Sequence, residues 1–156
     1  MVRSIPDGYH TVTPYLSLRG AAAAIDFYKQ AFGATEIMRI PGPADTIGHA
    51  EIKIGDSPIM LADEFAPLEF LSPQSRGGSR VHIHLYVDDV DAAVAQAVAA
   101  GGALKRPVRD EFYGDRTGTI EDPFGHVWHI ATHQEDLSPK ELHRRAEQAM
   151  NKLTGE

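Results

Sequence analysis

Apolar and polar positions change period several times along the chain, and each change marks an element. Residues 10–18 alternate, with Val12, Leu16 and Leu18 on one side and Thr11, Thr13, Tyr15 and Ser17 on the other, the pattern of a half-buried strand. Across 21–32 the residues Ala24, Ile25, Tyr28, Ala31 and Phe32 recur at helical spacing, and Gly33 supplies the left-handed residue that stops a helix. Strand-like runs follow at 35–40, 47–54 and 58–63, separated by Pro41-Gly42-Pro43 and Gly55-Asp56-Ser57. After a connector the same order returns. A strand at 81–87 leads to a helix at 89–100, capped by Asp88 or Asp89 and striped by Val90, Ala93, Val94, Ala97 and Val98. Strands near 103–108, 116–121 and 126–133 close the second half.

The halves align at one offset of about 69 positions, which sets Gly33 on Gly102, Thr13 on His82 and Met60 on His129. A repeat of this kind predicts an α+β fold of two tandem βαβββ modules with cup-shaped mixed sheets, related by an approximate two-fold about a shared cleft. Residues 1–156 are expected to form one domain: module one at about 10–63, a linker at 64–80, module two at about 81–133 and a C-terminal helix at about 138–153. The linker carries Phe65, Leu68, Phe70 and Leu71, and its length predicts a lid over the cleft or an arm onto a partner subunit. Ser138-Pro139-Lys140-Glu141 is a capping box that opens the last helix. Its stripe of Leu142, Ala146, Ala149, Met150 and Leu153 has no mate in the repeat, so the helix is expected to pack across a module or against a second copy.

Composition narrows the function classes. A chain of 156 residues can bury a core without staples, and the absence of Cys excludes disulfides, thiolate metal sites and a thiol nucleophile. A net charge of −7 argues against a nucleic-acid partner, which wants a basic face. Residues 1–10 lack an apolar leader and no run reaches the roughly 18 apolar residues of a membrane span, so a cytoplasmic protein without a membrane partner is expected.

Strand parity then sorts the side chains by face. Val12, Leu16, Ala50, Ile52, Ile54, Ile59, Leu61, Ile83, Leu85, Val87, Trp128 and Ile130 belong under the helices. The opposite faces carry Thr13 and Tyr15; His49, Glu51 and Lys53; His82, His84 and Tyr86; and His129 and His133. Should the strands curl into one sheet, five His and one carboxylate gather on a single concave surface, a set suited both to a divalent metal and to acid–base work near neutral pH. A solvent-facing sheet alternates in the same way. His82 and His129 are set apart because they fall on repeat-related points. Arg116, in Tyr113-Gly114-Asp115-Arg116, either forms a surface ion pair or stands at the cleft edge as a two-pronged donor to a ligand carboxylate or phosphate. Asp122-Pro123-Phe124-Gly125 reads as hairpin geometry.

These motifs resemble the vicinal oxygen chelate superfamily of glyoxalases, bleomycin-resistance proteins and extradiol dioxygenases, and within it the PhnB-like branch. The residues that carry the likeness are Ala24-Ile25-Asp26-Phe27-Tyr28 with Phe32-Gly33-Ala34, His49-Ala50-Glu51 with Ile54-Gly55-Asp56-Ser57, and the run His84 to Asp91. Tyr113-Gly114-Asp115-Arg116, Asp122 to His126 and Ala131-Thr132-His133 complete it. The resemblance implies a homodimer in which modules can be exchanged between subunits. It also places the metal-ligand positions at Thr13, Met60, His82 and His129, of which the two His can ligate. Two readings follow. In one, an enzyme holds a weakly bound Zn, Ni, Mn or Fe at His82 and His129, and Glu51 or His84 moves a proton in lyase, isomerase or dioxygenase chemistry. Thr13, Tyr15, Met60, Tyr86, Tyr113 and Arg116 then contact a small oxygen-rich molecule. In the other, a metal-free module sequesters a drug or metabolite.

Overall fold

The structure is a computed structural model and describes residues 1–155. Each half is a strand, a helix and three more strands: β1 (Tyr15–Leu18), α1 (Ala21–Phe32), β2 (Thr35–Pro41), β3 (Ile47–Ile54) and β4 (Ser57–Asp63) in the first. A linker with the short α2 (Pro73–Arg76) leads to β5 (Ile83–Tyr86), α3 (Val90–Ala99), β6 (Ala103–Asp110), β7 (Asp115–Glu121) and β8 (Val127–His133), and α4 (Pro139–Thr154) follows. The strands form two four-stranded mixed sheets of order β1-β4-β3-β2 and β5-β8-β7-β6. The repeat extends to register, since Tyr15 pairs with Met60 across parallel β1 and β4 as His84 pairs with His129 across β5 and β8.

Helix starts show how closely the halves correspond. Gly20, the residue before α1, has no side chain to cap the helix, so the carboxylate of Asp63 at the end of β4 does it, accepting from the N–H groups of Gly20 and Ala21 at 2.9 Å. Its other oxygen accepts from Ile47 N–H at 2.7 Å. In the second half Thr132, at the matching point of β8, accepts from Val90 N–H and donates to the Val87 carbonyl, each at 2.9 Å.

The parity reading of the core holds for β3, β4 and β8, where Ala50, Ile52, Ile54, Ile59, Leu61, Trp128 and Ile130 are all buried. It fails at Val12, which is 82% exposed. Pro14 has no N–H to continue the ladder, and pairing ends with Met60 N–H donating to the Pro14 carbonyl at 2.9 Å, so β1 begins at Tyr15 rather than near residue 10.

α1 and α3 pack on each other as well as on their own sheets. Phe32 at the end of α1 meets Trp128 of β8 at 4.6 Å between ring centroids, and both belong to one continuous core. The halves therefore join through their helix sides, and each sheet turns its polar face away from that core. The two mixed sheets expected of the repeat are both present, and no strand pair joins them among the described residues, so the five His and Glu51 do not gather on one sheet. α4 buries no residue, and its Met150 and Leu153 are exposed. Arg145 ties it back to Glu135 at 2.7 and 2.8 Å. No helix among the described residues is long and apolar enough to cross a membrane.

Candidate functional site

Two clusters of chemistry-bearing side chains result, one on each polar face. On the second module, the residue before β5 is His82, and its Nδ1 lies 2.8 Å from Nε2 of His129 on β8. Thr119 on β7 is the register partner of His129, and its hydroxyl sits 3.0 Å from His129 Nδ1. The hydroxyl can accept from Nδ1–H, the tautomer in which the His129 Nε2 lone pair is presented toward His82. His84 stacks beside His129 at 6.3 Å and packs on Tyr86 at 4.7 Å between centroids. Burial, then the charges of His82, His84 and Arg106, hold the His129 imidazole below its ordinary pKa, so it stays neutral at neutral pH.

Beside these rings lies a cavity of about 270 Å³ lined by His84, Arg106, Glu111, Tyr113, Thr119 and His129 among others. Arg106 and Glu111 were not picked out by the alternation of the sequence. β6 contains Pro107, and its register on β7 shifts on both sides of Arg106, so parity does not carry through. Glu111 is held by Arg109 at 2.8 Å and Thr117 at 3.4 Å. Among the described residues no carboxylate engages the Arg106 side chain, which leaves a free guanidinium at the cavity wall.

Of the two readings of Arg116, the ion pair is the one found, and the guanidinium lies on the helix side of β7 and not at the cleft edge. Its guanidinium is clamped by Asp91 of α3 at 2.8 and 3.0 Å and by Asp110 at 3.1 Å, which makes it a strut between helix and sheet. Tyr86 donates to the buried Asp115 at 3.3 Å, and Asp115 also meets His133 at 2.6 Å. Hydrogen bonds to Asp136 and Asp115 raise the His133 pKa.

On the first module the residues run in a chain. Tyr15 Oη lies 2.9 Å from His49 Nδ1, His49 Nε2 lies 3.1 Å from Glu51 Oε1, and Tyr9 from the N-terminal segment donates to the other Glu51 oxygen. Met60 is the register partner of both Tyr15 and Glu51, and the half-buried Thr13 precedes β1. Glu51 is thus committed within its own module. No hydrogen bond joins it to His82, His84 or His129, and no three His, Asp or Glu side chains among the described residues are placed to hold a metal.

Comparison with known proteins agrees with this architecture. The model of the glyoxalase/bleomycin resistance protein/dioxygenase superfamily matches residues 10–130. An uncharacterised protein of Mycobacterium tuberculosis is 38% identical over 134 residues, covering 84% of this chain and 79% of that one. The PhnB protein of Bacillus cereus shares the fold with a TM-score of 0.63 at 17% identity, covering 79% of this chain and 99% of its own. So does the fosfomycin resistance protein FosX of Listeria monocytogenes, solved with Mn(II) and sulfate ion, with a TM-score of 0.62 at 16% identity over 85% of this chain and 95% of that one.

Proposed function

This chain belongs to the glyoxalase/bleomycin resistance protein/dioxygenase superfamily, and we propose that its second module binds a small oxygen-rich organic molecule beside a divalent metal held by His82 and His129. One observation carries the reading: the 2.8 Å approach of His82 Nδ1 to His129 Nε2. Two nitrogens at that separation share a hydrogen bond, and an opening of about half an ångström brings them to the roughly 3.3 Å between neighbouring donors of a tetrahedral cation with bonds of about 2.0–2.1 Å. The neutral His129 ring and the Thr119 partner that orients it are what such a ligand needs. A cation bound there polarises a ligand oxygen.

The chain's own groups supply the rest. The free Arg106 guanidinium offers a two-pronged hold on an anionic oxygen of the ligand. His84, stacked along the same face, accepts or returns a proton, and Tyr86 and Tyr113 flank the ligand. Two protein ligands leave positions for solvent and substrate and make the metal easy to lose. Zn, Ni, Mn and Fe(II) are the ions to consider, Mn(II) being the one held by the fold neighbour FosX.

The working unit in this reading is a homodimer. The faces bearing Thr13, Tyr15, Glu51 and Met60 and those bearing the histidines lie on separate sheets, so a second copy is needed to bring the first set onto the second. Met150 and Leu153, the exposed members of the α4 stripe, and the exposed Phe65 and Leu68 supply surface for that association.

Calorimetric titration of metal-free protein with each of the four ions tests the assignment. Binding by at least one of them, lost in the His82→Ala, His129→Ala double variant with the fold intact, is expected. If none binds at neutral pH, the second reading takes over, a metal-free sequestering module for a drug or metabolite.

A further inference from the structure

The two modules also correspond at their sheet edges, and there one correspondence is broken. β1 and β5 are the end strands of their sheets, and each runs beside a turn of the other module. At the offset of the repeat, Ser57 after the turn from β3 to β4 falls on His126 before β8, and Tyr86 of β5 falls on Ser17 of β1. The edge of β1 is covered. His126 Nε2 donates to the Ser17 carbonyl at 3.0 Å, and the chain that follows β4 lies over the junction as α2, with Pro73 buried and Gln74 donating to the Pro123 carbonyl at 3.3 Å. The edge of β5 is open. Ser57 turns its hydroxyl to Asp56 at 2.8 Å, and a groove of about 710 Å³ runs between this turn, the end of α1 and β5. Phe32, Leu85, Val87 and Ala93 form its floor and are only half-buried. Asp56 and Asp88 line it, and among the described residues no cation pairs with either.

The repeat identifies the segment that the open edge lacks. Pro73 to Arg76, the helix over the β1 edge, falls on Leu142 to Arg145 in α4. Within one chain α4 is held elsewhere. Arg145 binds Glu135 and the Phe112 carbonyl beside the turn from β6 to β7, and β6 is the strand of its sheet farthest from β5. Leu142, Ala146 and Ala149 are half-buried there, whereas the last turns of the helix leave the body of the module, with Met150 59% and Leu153 83% exposed. Three positions apart, these two side chains share one face, and Lys152 stands beside them. An apolar pair flanked by a cation complements an apolar floor flanked by two carboxylates.

We propose that the groove along β5 receives the C-terminal turns of α4 from a second copy of the chain, with Met150 and Leu153 on the apolar floor and Lys152 at Asp56 and Asp88. The exchange is two-fold, so each copy gives a helix end and receives one, and every contact is made twice. This rests on the homodimer reading and supplies the counterpart surface that α4 meets.

The chain has no Cys, so single thiols can be placed without competition. Full-length Ser57→Cys and Leu153→Cys proteins are mixed in equal amounts and mildly oxidised. The mixed disulfide is expected at about tenfold over either like pair, the effect of a raised local concentration. By light scattering, the dimer of the Asp56→Lys, Asp88→Lys variant should dissociate about tenfold more readily than wild type, and Lys152→Glu should act in the same direction. All three changes together should recover most of the affinity, because opposite charges then face each other again. A full-length chain that is monomeric overturns both the homodimer reading and this proposal. A dimer whose mixed disulfide does not exceed the like pairs, or whose affinity ignores the charge reversals, overturns this proposal alone. So does a Ser57→Cys, Leu153→Cys double variant that closes its disulfide within one chain, since α4 then covers its own β5.

Discussion

Tyr28 on α1 and Asp122 in the turn between β7 and β8 are 94 positions apart in the chain, yet the phenol donates to the carboxylate at 2.6 Å inside the core. The same carboxylate accepts from Trp128 Nε1 at 2.9 Å and from the N–H groups of Phe124 and His126. One buried anion thus closes a hairpin in the second module and fastens a helix of the first to it. Burial, then the Asp122 charge and hydrogen bond, drive the Tyr28 pKa well above its ordinary value, which keeps the phenol a donor at every working pH.

Tyr28→Phe deletes that donor with little change of volume and leaves Asp122 its other three. A hydrogen bond to a charged group contributes about 1.5–3 kcal/mol, and a fall of that size in unfolding free energy is expected from urea denaturation. A fall within error would mean that the modules are held together by apolar contact alone.

Asp63 sets up a second test. Asp63→Ala removes the cap of α1 and strands the Ile47 N–H, so it should cost at least the ~0.5–2 kcal/mol of a lost N-cap. Thr132→Val should act on α3 by the same route but more mildly, because Asp89 also caps that helix, accepting from Ala92 N–H at 3.1 Å. Hydrogen exchange at the first turns of α1 and α3 reads the two effects separately; equal protection in variant and wild type would remove the capping role.

How far the sequence foretold this structure depends on how local each signal was. The span of α1 and the bounds of β3 follow from periodicity and a glycine stop, and the structure reproduces both. Asp122 looked like hairpin geometry because its partners Tyr28 and Trp128 are supplied by tertiary packing. Asp63 as a remote cap was hidden for the same reason. Arg106 was concealed by the irregular register around Pro107, whereas Arg116, two-pronged as expected, spends both prongs on Asp91. The separation of the histidines from Glu51 follows from the Phe32–Trp128 contact on the helix side, which no strand alternation encodes.

The linker makes a pH prediction. Desolvation acts upward on the Glu64 carboxyl, but hydrogen bonds from Ser72 and Ser75 and the Arg19 guanidinium outweigh it and bring the pKa to about 2. In the unfolded chain the group titrates near its ordinary value of about 4.3. Its contribution to stability is therefore complete above that value and is lost as pH falls toward about 2. The stability difference between wild type and Glu64→Gln should shrink across that window, and a difference independent of pH would contradict the assignment.

Association should depend on α4. Truncation after residue 133 removes the Leu142, Ala146, Ala149, Met150 and Leu153 stripe, and with it surface proposed to meet a second copy. Light scattering at micromolar concentration is expected to give a dimer for the full chain and a lower mass, or precipitation, for the truncated one. A monomeric full chain would remove the dimer from the proposed working unit.

His129 offers the most direct reading of the second module's face. Its pKa is lowered first by burial and then by His82, His84 and Arg106, so as pH falls through the ordinary imidazole value of about 6.5 the unfolded chain takes up the proton before the folded one. Stability should decline with pH from there downward, until the folded ring itself protonates. In the folded protein the lone pair for a metal should survive to lower pH than at an exposed histidine. NMR titration of the His129 ring is expected to give a midpoint below the ordinary imidazole value of about 6.5. Arg106→Ala removes one of the opposing charges and should move the His129 midpoint upward. A His129 midpoint at or above the ordinary value would mean that water and counter-ions reach the ring freely, and the face would then lack the neutral, oriented donor on which the metal assignment rests.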